Sequence, residues 1–229
     1  LKKYPVPKIS LTKDIMQNNI NPYIFFKEFS SKLKEEDVVV FGDGTACVAG
    51  FQASIIKKGQ RLFHNSGCAS MGYALPAAIG ANIALNKKIY CVTGDGSIMM
   101  NIQELAVVSS LSNPVILFIL DNSGYHSIRQ TQNNFFPDVS VGCGTDDGLF
   151  FPNFEKLAKG FGLNSLTINT HEEMIEKLPL IIKSNKTIVV ILKLDLKINF
   201  EPKLSSKKLE NGTMVTSRLE DMSPFLSEQ

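Results

Sequence analysis

The stretch "GDGSIMMNIQELAVVSSLSNPVILFILDN" (residues 94–122) decides the fold. It overlaps the end of an apolar segment, "KIYCVTGD" (88–95), and continues through an amphipathic helix over residues 102–111. It closes on a second apolar segment, "VILFILDN" (115–122). The helix ends before Pro114, because proline disfavours helical geometry at the residue that precedes it. The stretch therefore predicts a strand–helix–strand unit with a carboxylate and a carboxamide at the two strand ends.

A strand that is apolar throughout is typical of a parallel sheet, since such a strand is buried on both faces. Further strands are predicted over residues 37–43 ("DVVVFGD") and 186–194 ("KTIVVILKL"), with a weaker candidate at 165–168 ("SLTI"). Apolar residues at helical spacing separate them. The remaining predicted helices cover residues 45–58, 71–85, 154–161 and 171–182. This alternation predicts an α/β fold: a doubly wound, mostly parallel sheet with helices on both faces.

Composition excludes several classes of protein. The chain has 24 basic and 22 acidic residues and a net charge of +2, and no cluster of Lys and Arg interleaved with aromatic residues, which argues against nucleic acid as a partner. Its longest apolar runs have the length of strands, so we expect no membrane partner. Zinc and iron–sulfur sites usually contain CxxC pairs. The sequence has none, since its four cysteines are Cys47, Cys68, Cys91 and Cys143. Scattered cysteines of this kind fit a reducing cytoplasm.

The two ends of the chain differ in composition from its middle. The opening "LKKYPVPKIS" has prolines, lysines and no periodicity, and no secretory signal begins the sequence. We expect residues 1–22 to be a linker from a missing upstream domain. Residues 23–194 would form the α/β domain, and the polar residues 195–229 a C-terminal tail.

Small and polar residues end three of the predicted strands, where open parallel sheets bind their ligands. These ends are Gly42-Asp43-Gly44, Gly94-Asp95-Gly96, and Asp121-Asn122 followed by Gly124. Taken singly, each has a structural explanation, since Asp95 can cap the next helix and Asn122 can begin a turn. Neither glycine pair completes GxGxxG, and GxxxxGK[ST] is absent from the sequence. Both absences argue against a dinucleotide or P-loop site.

Taken together, the ends of the second and third strands favour a metal site. Magnesium prefers oxygen ligands, usually one or two carboxylates, and completes its octahedron with water and phosphate oxygens. The Asp95 carboxylate, the side-chain oxygen of Asn122 and a backbone carbonyl near Gly124 would supply half of such a shell. The pattern therefore predicts a clamp for magnesium and a diphosphate.

At this point the chain resembles the thiamine diphosphate-dependent enzymes. "GDGS" followed, after a helix and a strand, by "DN" is similar to their GDG…NN motif, with Asp121 in place of the first Asn. Three further segments resemble the acetolactate synthase group: "INPYIFFKEFSSKL" (20–33), "NSGCASMGYALPAAIGA" (65–81) and "KLSSKKLENGTMVTSRLEDMSPFL" (203–226). The chain is therefore identified as a member of this family, covering its C-terminal, diphosphate-binding domain.

The resemblance implies a set of site residues. Magnesium would be held by Asp95, Asn122 and the carbonyl of Gly124. Thiamine diphosphate would contact Gly44, Thr45, Ala69, Met71, Gly94, Gly96, Ser97, Asn122, Gly124 and Tyr125. Within that set, Met71 would buttress the bent cofactor and the Ala69 carbonyl would accept a hydrogen bond from its 4′-amino group. The alternative for Met71 is an ordinary core methionine.

The resemblance also implies a reaction. These enzymes act on 2-oxo acids as decarboxylases or carboligases, with the cofactor as electron sink. The family's catalytic glutamate lies on a pyrimidine-binding domain, normally of a partner subunit, so we expect no catalytic residue in this chain and no activity from it alone. His126, expected in a loop after the metal ligand, and Arg129 are candidate substrate contacts. Their alternatives are a packing histidine and a solvated charge.

Three functions remain open from the sequence. The first is the cofactor domain of a 2-oxo acid decarboxylase or carboligase that assembles as a homodimer or homotetramer through residues 65–85. The second is the separate cofactor-binding subunit of a two-subunit thiamine enzyme. The third is a non-catalytic dimerisation fragment.

Overall fold

The computed structural model describes residues 11–136, 138–204, 206–216, 218 and 222–223. Residues 11–198 form one compact unit, and the described residues from 199 onward belong to another. Residues 1–10, which carry the proline-rich part of the expected linker, lie outside the described residues. The expected domain limits at 22 and 195 stay a prediction.

The larger unit is built on a six-stranded sheet in which every strand pair is parallel, which confirms the predicted fold class. The strands are β1 Val38–Phe41, β2 Arg61–Phe63, β3 Ile89–Gly94, β4 Val115–Asp121, β5 Asn164–Ile168 and β6 Ile188–Lys193, and their spatial order is β2-β1-β3-β4-β6-β5. The short edge strand β2 was not predicted from the sequence. The order of the strands reverses between β1 and β3, and β3 and β4 lie at the centre of the sheet.

Helices connect these strands. They are α1 Lys13–Met16, α2 Pro22–Lys32, α3 Gly44–Ala53, α4 Ala74–Leu85, α5 Asp95–Ile98, α6 Leu105–Ser110, α7 His126–Phe135, α8 Phe154–Gly160 and α9 His171–Lys183, with 3-10 turns at Met99–Glu104 and Thr145–Asp147. Three predicted helices change their limits. The helix expected over 45–58 ends at Ala53, the one over 71–85 begins at Ala74, and the one over 102–111 starts within a 3-10 turn.

The sheet is covered on both faces, as its apolar strands require. One face packs α4, α6 and α8 against alternate residues of the central strands, such as Cys91, Leu117 and Ile191. On the other face, Phe25 and Phe29 of α2 pack against Phe118 of β4, with ring centroids 5.3 Å apart in each pair. Each strand thus contributes side chains to two cores, and the sheet becomes a rigid platform for the residues that follow its strands.

The described residues of the smaller unit form two short antiparallel ribbons. Lys203–Leu204 (β7) pairs with Met222–Ser223 (β10), and Ser206–Lys208 (β8) pairs with Met214–Thr216 (β9). Gly212 has φ +83° between β8 and β9, a left-handed conformation that glycine adopts without strain. Across the described parts of both units, none of the helices has the length and apolar character needed to cross a membrane.

Candidate functional site

A cavity of about 120 Å³ opens at the carboxyl ends of β1, β3 and β4. Gly94 and Leu120 are paired in register on β3 and β4, so Asp95 and Asp121 leave the sheet side by side. The residues that line the cavity are Asp43, Gly44, Thr45, Met71, Gly94, Asp95, Gly96, Ser97, Asn122, Gly124, Tyr125, His126, Ser127 and Ile128. Of the residues expected to bind cofactor or metal, only Ala69 does not line it.

Asp95 is the central acidic group of the cavity. It is 1% exposed, and its carboxylate accepts hydrogen bonds from the N–H of Gly96 at 2.7 Å and of Gly124 at 3.0 Å. Burial raises the pKa of Asp95 to about 7, and the nearby negative charge of Asp121 acts in the same direction against these hydrogen bonds. A buried carboxylate in this position favours a bound cation, because a positive charge would offset the cost of its burial.

Asn122 lies in the same cavity and is also buried. Its amide nitrogen donates to the hydroxyl of Thr45 at 3.3 Å, which leaves the side-chain oxygen available to a cation. Thr45 belongs to the first turn of α3, after Gly44 with φ +56°. The ends of β1 and β4 are thus joined by a hydrogen bond beside Asp95.

The turn that carries Gly124 is fixed by Arg129, which the sequence offered as a substrate contact. Its guanidinium donates to the carbonyls of Asn122 at 3.1 Å, Ser123 at 3.0 Å and Cys143 at 3.4 Å. Gly124 also forms an antiparallel bridge with Gly144, and a side chain at Gly124 would collide with the Cys143 carbonyl at 2.1 Å. These contacts give Arg129 a structural role in the turn, and its role toward a substrate stays a prediction.

Sequence reasoning missed the loop that supports this turn from outside. The Asp147 carboxylate accepts hydrogen bonds from the N–H of Gly144 at 2.6 Å, the N–H of Cys143 at 3.0 Å and the hydroxyl of Ser140. These hydrogen bonds, led by that of Ser140, lower the pKa of Asp147 to about 2. The only signal in the sequence was an aspartate following a Gly-x-Gly segment (142–144), a pattern common to many turns.

Ser97, expected at the diphosphate, is hydrogen-bonded within the protein. Its hydroxyl donates to the Asp43 carboxylate at 2.6 Å and accepts from the N–H of Gly72 at 2.9 Å. The end of β1, the start of α5 and the turn before α4 therefore meet at one side chain. Ser97 connects Asp43 to the turn that carries Met71.

Tyr125 and Gly96 are in direct contact. A Cβ added to Gly96 would lie 2.2 Å from the Tyr125 ring, so this position accommodates only glycine while the ring stays in place. Tyr125 also packs edge to face on Phe151, with ring centroids 6.5 Å apart. Its ring thus covers the start of α5 beside Asp95.

The expectation that His126 lies in a loop was wrong. His126 is the first residue of α7 and is buried in the cavity wall. The polar segment "HSIRQTQNNF" forms a helix because Tyr125 and Arg129 are held by the turn before it, through the Tyr125 N–H to Cys143 O bond and the Arg129 contacts. Sequence periodicity did not reveal this helix, since Ile128 is the sole aliphatic residue among its ten.

Comparison with known proteins explains this arrangement. The family model for the C-terminal TPP-binding domain of thiamine pyrophosphate enzymes matches residues 42–192, which include β2 to β5 and all of β6 except its last residue. The chain belongs to the thiamine pyrophosphate enzyme family. The structure thus places a buried carboxylate and a carboxamide at adjacent strand ends of a TPP-binding domain.

The individual relatives compared are all named as acetolactate synthase large subunits. The chain is 30% identical over 213 residues to the acetolactate synthase large subunit of Buchnera aphidicola subsp. Schlechtendalia chinensis, which covers 90% of this chain and 36% of that protein. It is 30% identical over 174 residues to the acetolactate synthase isozyme 2 large subunit of Escherichia coli K12, covering 75% and 31%. For the Porphyra purpurea large subunit the identity is 36% over 118 residues, covering 51% and 20%. The chain thus spans about a third of the length of its longer-matching relatives.

Proposed function

We propose that this chain is the cofactor-binding domain of a thiamine diphosphate- and magnesium-dependent decarboxylase or carboligase that acts on a 2-oxo acid and resembles acetolactate synthase. The observation that supports it most directly is the buried Asp95 carboxylate. It lines the same cavity as Asn122, at the carboxyl edge of a TPP-binding domain. Lys193 pairs with Asp121, and the Arg129 guanidinium donates to the backbone carbonyls of this turn.

The donor set fits magnesium. Asp95 offers carboxylate oxygens, Asn122 an amide oxygen and Gly124 a backbone carbonyl, all of them hard ligands of the kind this ion prefers. The carboxylate of Asp95 is oriented by two backbone N–H groups, and the amide of Asn122 by Thr45. Such fixed ligands suit an ion that demands near-octahedral geometry.

The backbone around the cavity fits a diphosphate. Gly44 and Thr45 begin the ten-residue helix α3, and the free N–H groups of a helix N-terminus attract anions. Gly96 lies in the first turn of α5 on the opposite side of the cavity. We assign Gly44, Thr45, Gly94, Gly96 and Ser97 to the diphosphate.

The remaining assignments concern the organic part of the cofactor. Met71, Ala69 and Tyr125 would contact the rings, and the cofactor supplies the electron sink for decarboxylation. The chain's own residues bind, orient and shield the cofactor. We assign them no proton transfer, because the family's glutamate belongs to a pyrimidine-binding domain that these residues do not form. His126 and Arg129 remain candidate contacts to the 2-oxo acid.

The names of the relatives favour this function over the other two. All three compared proteins are named as large subunits of acetolactate synthase, which supports a domain of a longer catalytic chain. We further propose that the protein is cytoplasmic, assembles as a homodimer or homotetramer through residues 65–85, and works with a pyrimidine-binding domain. A separate cofactor-binding subunit and a non-catalytic dimerisation fragment are the alternatives.

Calorimetric titration with thiamine diphosphate and magnesium tests the proposal. We expect binding that disappears when the metal is chelated, and weaker binding of thiamine, which lacks the diphosphate. The chain alone should decarboxylate pyruvate no faster than the free cofactor. Addition of a pyrimidine-binding domain from a related large subunit should restore turnover if the chain is catalytic. Absence of metal-dependent binding at millimolar cofactor would reject the proposal.

A further inference from the structure

The turn before α4 holds one peptide unit unusually firmly. Gly72 has φ +86°, and a Cβ placed on it would lie 2.7 Å from both the Asn101 amide nitrogen and the Met100 Cβ. Its N–H donates to the Ser97 hydroxyl at 2.9 Å, and its carbonyl accepts from the Asn101 amide at 2.9 Å. Both polar groups of Gly72 are thus bound by side chains that follow β3.

Asn101 adopts a conformation that serves this contact. It lies within the 3-10 turn Met99–Glu104 but has φ −139° and ψ 35°, outside the helical region. This kink precedes the helix expected over residues 102–111 and directs the Asn101 side chain to the Gly72 carbonyl. The amide of Gln103 donates to the Asn101 side-chain oxygen at 3.4 Å, which orients the Asn101 nitrogen toward Gly72.

Met71 is the residue that this arrangement places. Its side chain lines the cavity, directly before Gly72, whereas Asn101 does not line it. A methionine side chain has several rotatable bonds and fills irregular space, so its position depends on how firmly its backbone is held. Fixing the peptide on the C-terminal side of Met71 therefore restricts where the thioether can lie.

We propose that Asn101 is a positioning residue for the organic part of the cofactor. It acts by holding Gly72 and so fixing Met71 in the cavity wall. This inference rests on the proposed function, because it assumes that the cavity binds thiamine diphosphate. It goes beyond that proposal by predicting that Asn101 affects binding of the organic part of the cofactor and not of the diphosphate. Asn101 is hydrogen-bonded to Gly72 and Gln103 and does not line the cavity, so binding of a metal–diphosphate alone should not require it.

The test compares two ligands and three proteins. Thiamine diphosphate and inorganic pyrophosphate, each with magnesium, are titrated into the wild-type chain, Asn101→Ala and Asn113→Ala. Asn113 provides a matched control, because its amide also donates one hydrogen bond, to Asn86 at 2.8 Å, at the opposite edge of the sheet. Ser97→Ala is not a suitable test variant, because Ser97 also belongs to the proposed diphosphate site.

We expect Asn101→Ala to weaken thiamine diphosphate binding about fivefold, the effect of one lost hydrogen bond, and to change pyrophosphate binding less than about twofold. Asn113→Ala should leave both affinities unchanged. A second readout needs no ligand: in methyl-labelled protein, the Met71 resonance, assigned with Met71→Leu, should shift and broaden in Asn101→Ala alone.

Two results would overturn the inference. An equal loss of affinity for both ligands would mean that Asn101 supports the whole site. Unchanged binding of both, with an unchanged Met71 resonance, would mean that Gly72 keeps its place without Asn101. If the wild-type chain bound pyrophosphate and magnesium but not thiamine diphosphate, or bound neither, the proposed function itself would fail.

Discussion

Buried polar groups are hydrogen-bonded differently at the two ends of the parallel strands. We call these ends the amino edge and the carboxyl edge of the sheet. At the amino edge, donors meet backbone carbonyls: Asn82 donates to Lys87 O and Asn113 O, each at 3.1 Å, and Lys88 donates to Ile182 O at 3.0 Å and Ser184 O at 2.9 Å. At the carboxyl edge, Asp43 and Asp95 line one cavity, and Asp121 follows the strand next to that of Asp95. Lys193 pairs with Asp121.

This difference distinguishes a structural edge from a functional one. Polar groups at the amino edge are matched within the protein, so they stabilise the fold and leave little for a ligand to offset. The carboxyl edge keeps an excess of buried negative charge, which costs free energy until a cation binds. Substitutions at the two edges should therefore have opposite effects on stability and binding.

The largest expected effect is that of Asp95→Asn. Removing the carboxylate should weaken magnesium-dependent cofactor binding at least about 30-fold, as expected when one member of a buried charge pair is lost. It should also stabilise the ligand-free chain by about 1 kcal/mol, because the buried charge is removed. The gain is partly offset, since Gly96 and Gly124 donate to different oxygens of Asp95 and the amide oxygen can accept from only one of them. Calorimetry and urea unfolding measure the two effects.

Glu176→Gln is the control, since it removes an exposed carboxylate on α9. It should change neither the affinity nor the free energy of unfolding. A destabilised Asp95→Asn variant that still binds the cofactor would contradict the contrast between the edges.

The reverse result is expected for Asn82→Ala at the amino edge. Asn82 is 2% exposed and makes two hydrogen bonds that hold the start of β3 to the start of β4. Their loss should lower the free energy of unfolding by about 2 kcal/mol. Cofactor affinity, measured on the folded fraction, should remain within twofold of wild type. Loss of affinity without loss of stability would show that the edges are coupled.

The sequence predicted the centre of the sheet better than its surroundings. β1, β3, β4 and β6 are apolar runs that only a buried parallel strand explains. The edge strand β2 (Arg61–Phe63) is three residues long and pairs with β1 alone. It is too short to show a hydrophobic pattern from which a strand could be predicted. Likewise, α7 is polar and exists because Arg129 and Tyr125 hold the turn before it.

The same distinction applies to the candidate site. That Asp95 and Asn122 follow neighbouring strands could be read from the order of elements, because parallel strands end at a common edge. The partners of Ser97 and Asn101 could not, since Gly72 reaches them through a left-handed turn far from both in sequence. Motifs specify the residues that contact a ligand, whereas tertiary packing determines which residues hold them in place.

A smaller effect is expected at the pair of Asp121 and Lys193. The Asp121 carboxylate accepts from the Ser123 N–H at 3.1 Å and pairs with Lys193, whose side chain is 41% exposed. Asp121→Asn loses a screened ion pair but also relieves repulsion toward Asp95, so the free energy of unfolding should change by less than about 1 kcal/mol. Lys193→Met should be more destabilising, because it leaves the Asp121 carboxylate without its paired cation while the charge of Asp95 remains close to it. The opposite order in urea unfolding would refute excess negative charge at this edge.

The smallest expected effect tests whether the excess of buried charge is a property of the whole carboxyl edge or only of the cavity. His171 begins α9 after β5, at the carboxyl edge of the sheet. Like the polar residues of the amino edge, it has hydrogen-bond partners within the protein for its polar atoms. Its Nε2 accepts from the Asn21 N–H at 2.9 Å, so the Nδ1 carries the proton that bonds to Ile15 O at 3.0 Å. Burial, the leading cause, lowers the pKa of this 1% exposed ring and favours its neutral form in the folded state.

A base whose pKa is lowered by folding stabilises the protein above its unfolded pKa, near 6.5, and that contribution is lost as the pH falls below that value. The free energy of unfolding of the wild-type chain minus that of His171→Gln should therefore decrease between pH 7.5 and 5.5. Carboxylates such as Asp95 contribute equally to both proteins, so the difference in slope isolates the ring. An identical slope in the variant, or an unshifted pKa of His171 in an NMR titration, would show that the ring is not matched as the geometry indicates. If the two proteins differ in slope as expected, and if His171→Gln binds the cofactor as tightly as the wild type at pH 7.5, then His171 belongs to the fold and not to the site. The excess of buried charge would then be confined to the cavity at the ends of β1, β3 and β4.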